Sequence, residues 1–595
     1  MGIPGFFNNC IVKFNTPNDP KSVIKTSLYD VIETEEHADS THTNETQFTE
    51  DVTTDQETDL LDNVKLFLDF NCAVYYVLKP EFKDDDTLIV HTLDYLDTLV
   101  KVCKSVDFLY IALDGVPPRA KMEQQRSRRF HSVCKKKKAN EINQKYGTEL
   151  DKTNYNFNID TNMITPGTKF MFKLSKAIRK HLSESKLYDT INVIFSDASS
   201  PGEGEHKILS YIKSTTFEHD DKLVIYGLDG DLIMLSMIAN KPHMYLLREA
   251  AQYGGYSKEY FGHKYLFLDI DNLKDAIIDS FQSIASELIE SKKPRFIVDY
   301  IFLCFILGND FVPKIHWFSL YEGGHTRLLT AYFEIYNHSE EHLINEDMTQ
   351  INHFMLMDIF QYLMNYEEKA IKSTMKKRRG YRMPIKDEMT ERERQQLLTD
   401  YLPMMHLNVE QDIDPYTYNW KHRYYKLCFG FNGSKENISS VTEAYLKTLK
   451  WNLDYYFKGC TNWSWYYPFH YAPTAEDIFS TMETYNINNF KFVKDEPIDC
   501  QSLLLMVLPY ESRRYMTNDI TRNLEANMDD ILTYFPVDYG LNLPFHRYYY
   551  ECSAIIPRFD YSIIKSFIKK CKITEEERER SIMNTEYVKK KTLQC

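Results

Sequence analysis

This 595-residue chain predicts an α/β fold: a mostly parallel central sheet flanked by helices, with a second, mostly helical and aromatic-rich region packed on it. Three observations carry that prediction. Short apolar runs alternate with helical stretches through the first half, the pattern of strand and crossover-helix units. Three of the runs lead straight into an acid, at Leu68-Asp69, Leu113-Asp114 and Leu228-Asp229. Beyond about residue 401 the composition turns to Tyr, Trp and Phe, with apolar helical periodicity over 441–456 and 503–508.

In chain order, strands are expected at 65–70, 108–113, 191–195, 223–228 and 244–247. The carboxyl ends of such strands frame the ligand crevice of an open sheet, so aspartates placed there converge on one rim. Residues 1–325 read as the first domain. Within it, about 16–62 reads as an acidic, disordered insertion: no Lys or Arg falls between Lys25 and Lys65, while Glu33, Glu35, Glu36, Asp39 and Asp51 crowd that stretch. Residues 326–400 read as a helical linker or insertion, densely charged from Ile371 to Thr399, and 401–595 as the second helical region.

Composition narrows the function classes. No run of eighteen apolar residues and no signal-peptide pattern occur, so neither membrane spanning nor secretion is expected. The eleven cysteines form no CxxC pair and read as reduced thiols in an intracellular protein. A net charge of −15 opposes a nucleic-acid partner until the acidic stretch is set aside. What then stands out is a dense basic cluster from Arg119 to Lys138. Its tetralysine, Lys135 to Lys138, reads as a continuation of that surface in preference to a nuclear localisation signal.

Seven acids form the chemical constellation. Asp229 and Asp231 lie two apart in YGLDGD, at the end of an extended run that would turn both to one side. In PGEGEHK the glycines permit a tight turn, with Glu203 on the loop and Glu205 in the first turn of the next helix. Asp310, in GNDFVP, follows an apolar helical run, and Asp69 and Asp114 complete the set. Two unit charges ~4 Å apart repel by roughly 4 kcal/mol at an effective dielectric near 20, so a cluster of this kind calls for cations. All-oxygen ligation suits two Mg²⁺ or Mn²⁺ ions and phosphodiester hydrolysis. His206 reads as a hydrogen-bonded structural residue in preference to a general base.

After Pro117-Pro118 a helix can start, and on it Lys121, Gln125, Arg128 and Arg129 share one face a few residues beyond Asp114. Such a face suits phosphate, which Arg binds bidentately.

The residues MGIPGFF, LFLDFN, ALDGVPPRAKMEQQRSRRF, ITPGTKFM, SPGEGEHKI, YGLDGDLIML, LLRE, FILGNDFVP, WNLDYYFKGCTNWSWYYPFHYAP and LLMVLP span nearly the whole chain. In them the sequence resembles the XRN family of 5′-to-3′ exoribonucleases. That resemblance implies a PIN/flap-nuclease-like core whose pocket the second region completes. It places Asp69, Asp114, Glu203, Glu205, Asp229, Asp231 and Asp310 at the family's metal-binding positions. It also places Lys121, Gln125, Arg128 and Arg129 where the family holds the 5′-monophosphate of single-stranded RNA. Processive decay of mRNA in the cytoplasm, with the nucleus as the other compartment, would follow, and bases would stack on Trp465 and Trp463. Tyr75 stands where the family usually has a stacking His, the acidic stretch is an insertion relative to its pattern, and the chain stops before the additional C-terminal domains of the cytoplasmic enzyme. A flap-type DNA nuclease is the nearest alternative, and a non-catalytic RNA-binding scaffold the more distant one.

Overall fold

The structure, a computed structural model, describes residues 21–25, 63–147, 159–250, 263–281, 293–581 and 586–591. The MGIPGFF segment, and all of the acidic stretch except 21–25, lie outside the described residues. Ten strands are defined among them: β1 (Ile24–Lys25), β2 (Val64–Asp69), β3 (Val106–Ala112), β4 (Asn192–Ser196), β5 (Lys222–Tyr226), β6 (Met244–Glu249), β7 (Tyr265–Asp269), β8 (Gly540–Leu541), β9 (Ala554–Ile555) and β10 (Tyr587–Lys589). Eight of them form one sheet in the order β1-β7-β6-β5-β2-β3-β4-β10, and β8 pairs with β9.

All five expected strands are present and form the parallel centre of the sheet, β6 through β4. Their apolar runs are continuous because both faces are covered. Phe67, Tyr110 and Ile225 enter the core on one side of the sheet, while Leu66, Leu68, Leu109, Ile111 and Val224 enter the core on the other. Crossovers are supplied by α1 (Phe70–Val77), α2 (Asp85–Val102), α3 (Arg119–Tyr146), α4 (Lys169–Glu184), α5 (Gly204–Ser214) and α6 (Asp231–Ala239).

The edges depart from the sequence reading. Ile24 and Lys25, inside the stretch read as an insertion, pair antiparallel with β7. Tyr587–Lys589 returns from the far end of the chain to pair antiparallel with β4. Two- and three-residue strands carry too little alternation to be read from sequence.

Residues 326–400, read as a helical linker or insertion, are helical and packed against the rest of the structure. After α7 (Ile270–Phe281) and α8 (Lys293–Ile306) come α9 (Gly324–Ser339), α10 (His353–Arg379) and α11 (Glu391–Asp400). One face of α10 is buried, and α11 lies along α3, where Arg392 Nε donates to Asn143 Oδ1 at 3.0 Å. The second region contains α12 (Lys435–Lys458) and α13 (Cys500–Val507), matching the two apolar periodicities. Val116, Met122 and Phe130 share a core with Leu503 to Leu508, which seats α3 between the two halves. Among the described residues no helix is long and apolar enough to cross a membrane.

Candidate active site

Six of the seven acids come from the carboxyl ends of four adjacent parallel strands, β5, β2, β3 and β4. Asp69 ends β2 and Asp114 lies two residues beyond β3. Glu203 is the N-cap of α5 and Glu205 its second residue, as the glycine turn implies. The extended-run reading of Asp229 and Asp231 needs correction: β5 stops at Tyr226, Asp229 stands in the following turn, and Asp231 opens α6. At Gly227 a Cβ would lie 2.1 Å from Leu232 Cδ1, so any larger residue there would displace the Leu232 side chain. Asp310 arrives from the loop after α8, where Gly308 turns the chain at φ +93°.

Specific contacts gather these segments. Asn71 Nδ2 donates to Asp114 Oδ2 at 2.9 Å, and the Gly204 amide donates to Asp114 Oδ1 at 2.7 Å. A Cβ on Gly204 would fall 2.7 Å from Asp69 Oδ1, so the start of α5 lies directly against β2's carboxylate. Lys121 Nζ bridges Glu203 Oε2 at 2.6 Å and Asp310 Oδ2 at 3.0 Å. Tyr455, from α12, donates its hydroxyl to Glu203 Oε1 at 2.6 Å. Sequence reasoning assigned no role to Asn71 or Tyr455. Asn71 follows Asp69 closely enough to have been a candidate, whereas nothing in the sequence connects Tyr455 to an acid 252 residues away.

Electrostatics describe a site short of positive charge. Burial, then the charges of Asp114, Asp229 and Glu203, hold the Asp69 carboxyl well above the usual range. Burial and then Asp231 do the same to Glu205, while burial pushes Asp231 itself up to about 7. Glu205 Oε2 is buried without a hydrogen-bond partner among the described residues. An oxygen-only donor set with an orphaned, inward carboxylate oxygen fits a hard divalent cation. Ligating atoms of Glu203, Glu205 and His206 lie within 4.8 Å of one another. The His206 ring, however, packs against Tyr455 with centroids 3.9 Å apart, and burial pushes its pKa down to about 3, so it stays neutral.

On α3, the four predicted basic-face residues separate. Lys121 is buried among the acids; Gln125 is half-buried; Arg128 is exposed. Arg129 donates to Thr165 Oγ1 at 2.8 Å, and although burial pushes it down to about 10 it remains a cation at neutral pH. Tyr75, on α1, lies within the field of Arg129 and Arg128. Trp463 sits at the start of α3, its carbonyl accepting from the Arg119 amide at 2.8 Å. Trp465 is placed elsewhere: its indole donates to Thr448 Oγ1 at 3.2 Å, Lys447 Nζ lies 4.1 Å from the ring centre, and none of the seven acids lines the groove it borders.

The sequence that builds this site has relatives. Residues 1–250 match the family described as XRN 5′-3′ exonuclease N-terminus, and residues 290–414 and 408–592 match the Xrn1 helical domain. The chain belongs to the XRN 5′-3′ exonuclease family. Among its relatives, the 5′-3′ exoribonuclease 1 of Homo sapiens is 28% identical over 87% of this chain and 33% of its own length. The 5′-3′ exoribonuclease 2 of Gallus gallus is 25% identical over 87% of this chain and 66% of its own. The 5′-3′ exoribonuclease 1 of Schizosaccharomyces pombe is 26% identical over 84% and 45%. The chain therefore spans from one third to just under two thirds of the length of these XRN relatives.

Proposed function

We propose that this protein hydrolyses single-stranded RNA from a 5′-monophosphate end, one nucleotide at a time towards the 3′ end. The observation that carries the reading is the gathering of seven carboxylates from distant segments, each within the field of another, beside the cationic start of α3. Asp69, Asp114, Glu203, Glu205, Asp229, Asp231 and Asp310 would hold two Mg²⁺ or Mn²⁺ ions. When bound, such ions activate water and stabilise the leaving oxygen.

The chain's own residues do the positioning. Asn71 and the Gly204 amide fix both oxygens of Asp114, and Tyr455 fixes one oxygen of Glu203. Lys121 offsets acid charge until cations enter and can then turn a donor to phosphate, while Gln125, Arg128 and Arg129 receive the 5′-phosphate. The same reading assigns the protein to RNA turnover, including mRNA decay, in cytoplasm or nucleus.

The test is an end-chemistry assay. Labelled RNAs carrying a 5′-phosphate, hydroxyl, triphosphate or cap are incubated with the protein and Mg²⁺ beside a DNA flap. Degradation of the monophosphate RNA to mononucleotides, suppressed by Asp229→Ala, is expected; equal use of all ends, or preference for the flap, rejects the reading. Arg128→Ala should narrow the preference for the monophosphate by tenfold or more, since an arginine–phosphate contact contributes about 1.5 to 3 kcal/mol.

A further inference from the structure

A chamber of about 490 Å³ lies on the face of α3 adjacent to the one that bears Lys121. Asp310 and Arg128 belong to its wall, so it opens beside the acid cluster; Phe311, Tyr466, Arg558 and Tyr550 also line it. Each acid on that wall already has a cation against it: Glu123 with Arg119 at 3.2 Å, Asp310 with Lys121 at 3.0 Å, and Glu551 with Lys314 at 3.7 Å. Arg558 adds a charge bonded to a neutral group, the Tyr467 carbonyl at 2.8 Å. Three buried histidines on the wall, His131, His316 and His546, keep ring nitrogens without hydrogen-bond partners among the described residues. The wall thus combines aromatic and apolar surface with weakly cationic polar groups.

At its outer end the chamber meets a series of tyrosine rings. Tyr550, 64% exposed, stacks on Tyr548 with centroids 5.3 Å apart and planes 10° from parallel. Tyr548 leads to Tyr401 at 5.0 Å, and Tyr401 to Tyr381 at 5.7 Å. The Arg547 guanidinium stands 4.8 Å from the Tyr381 ring and 5.2 Å from Tyr548. Hydrogen bonds support this segment from beneath. Glu551 accepts from the Arg547 and Tyr548 amides at 2.8 and 3.1 Å, and Arg378 pairs bidentately with Glu410 while donating to the His546 carbonyl at 2.8 Å. Outward ring faces with a guanidinium alongside have the chemistry that binds a single strand without regard to sequence.

We propose that the RNA strand downstream of the cleaved nucleotide runs from Asp310 through this chamber and out over Tyr550, Tyr548, Tyr401 and Tyr381, which act as its stacking track. The proposal rests on the exoribonuclease reading above. Tyr550 gives its outward face to a base, and Arg547 takes a backbone phosphate. Packing between surface segments alone would explain the mutual stacking, but not the exposure of Tyr550 or its place on the wall of a chamber that also holds Asp310 and Arg128.

The test uses the full chain and 5′-phosphorylated 20-mers with 4-thiouridine at single positions, irradiated in EDTA and mapped by mass spectrometry. Thiouridines several nucleotides from the 5′ end should crosslink to the peptides carrying Tyr381, Tyr401 and Tyr548 to Tyr550; crosslinks on the Trp465–Lys447 groove instead would overturn the path. In the kinetic arm, Tyr550→Leu with Tyr548→Leu should raise KM for the 20-mer at least fivefold and for a trinucleotide less than twofold, with Tyr550→Phe and Tyr548→Phe restoring it. Equal rises for both lengths would mean a structural role and reject the track. If the unmodified protein degrades 5′-phosphorylated RNA and the track tests fail, only the path falls; if it degrades no RNA, the exoribonuclease reading falls and the path with it.

Discussion

Tyr455 reaches Glu203 from the second half of the molecule, and its hydroxyl is the one side-chain donor to Glu203 Oε1 among the described contacts. Removing a single such bond to a charged group costs about 1.5 to 3 kcal/mol. Tyr455→Phe should therefore lower kcat roughly tenfold or more, with unchanged circular dichroism; an unaltered rate constant would show that Glu203 is held without it. Gly204 is a stricter case. Gly204→Ala pushes a methyl to 2.7 Å from Asp69 Oδ1, and the expected outcome is weaker Mn²⁺ binding by calorimetry in a protein that still folds. The acids themselves were legible in the sequence, because LFLDFN, GLDGD and PGEGEHK pair carboxylates with strand ends and glycine turns. Tyr455 and the Asp310–Lys121 contact were not, since each depends on a long-range approach that no local pattern encodes.

Helix α10 illustrates how a charged composition can conceal a buried element. Its sequence ends in Lys376 to Arg379, yet Arg378 is buried against Glu410, and Glu367 lies under Trp317, whose indole donates to it at 3.0 Å. The Ala475 amide adds a second bond at 2.8 Å. Even so, burial pushes the Glu367 pKa up to about 7. The folded state then holds a proton that the unfolded chain releases near pH 4.5, so stability falls as pH rises from about 4.5 to about 7. The loss is on the order of 3 kcal/mol at about 1.4 kcal/mol per unit. Glu367→Gln should flatten that slope in chemical denaturation between pH 5 and 7.5; an unchanged slope would place the titration elsewhere. The central strands, by contrast, were plain in the sequence because burial on both faces demands unbroken apolar runs. The pairing partners of single charges inside α10 have no such signature.

Across the whole molecule the two halves are stapled twice: by Tyr455 donating its hydroxyl to Glu203, and by β10 closing the sheet beside β4. The second staple is reinforced by Lys589, whose ammonium meets Asp189 at 3.0 Å and the Leu182 carbonyl at 2.9 Å. Truncation after Ser581 should lower the melting temperature by several degrees and expose β4 to aggregation, as a bare edge strand invites. A truncated protein with the original melting temperature and solubility would show β10 to be dispensable.

That returning strand also orders events in time. A ribosome delivers residues 192–196 nearly four hundred residues before 587–589 emerge, so the sheet must wait with one flank open while the aromatic region is still being made. Asp310 and Tyr455 likewise emerge after the six acids of the strand rim. The carboxylate rim is thus the early part of this molecule, and the contacts that tie it to the aromatic region are the late part.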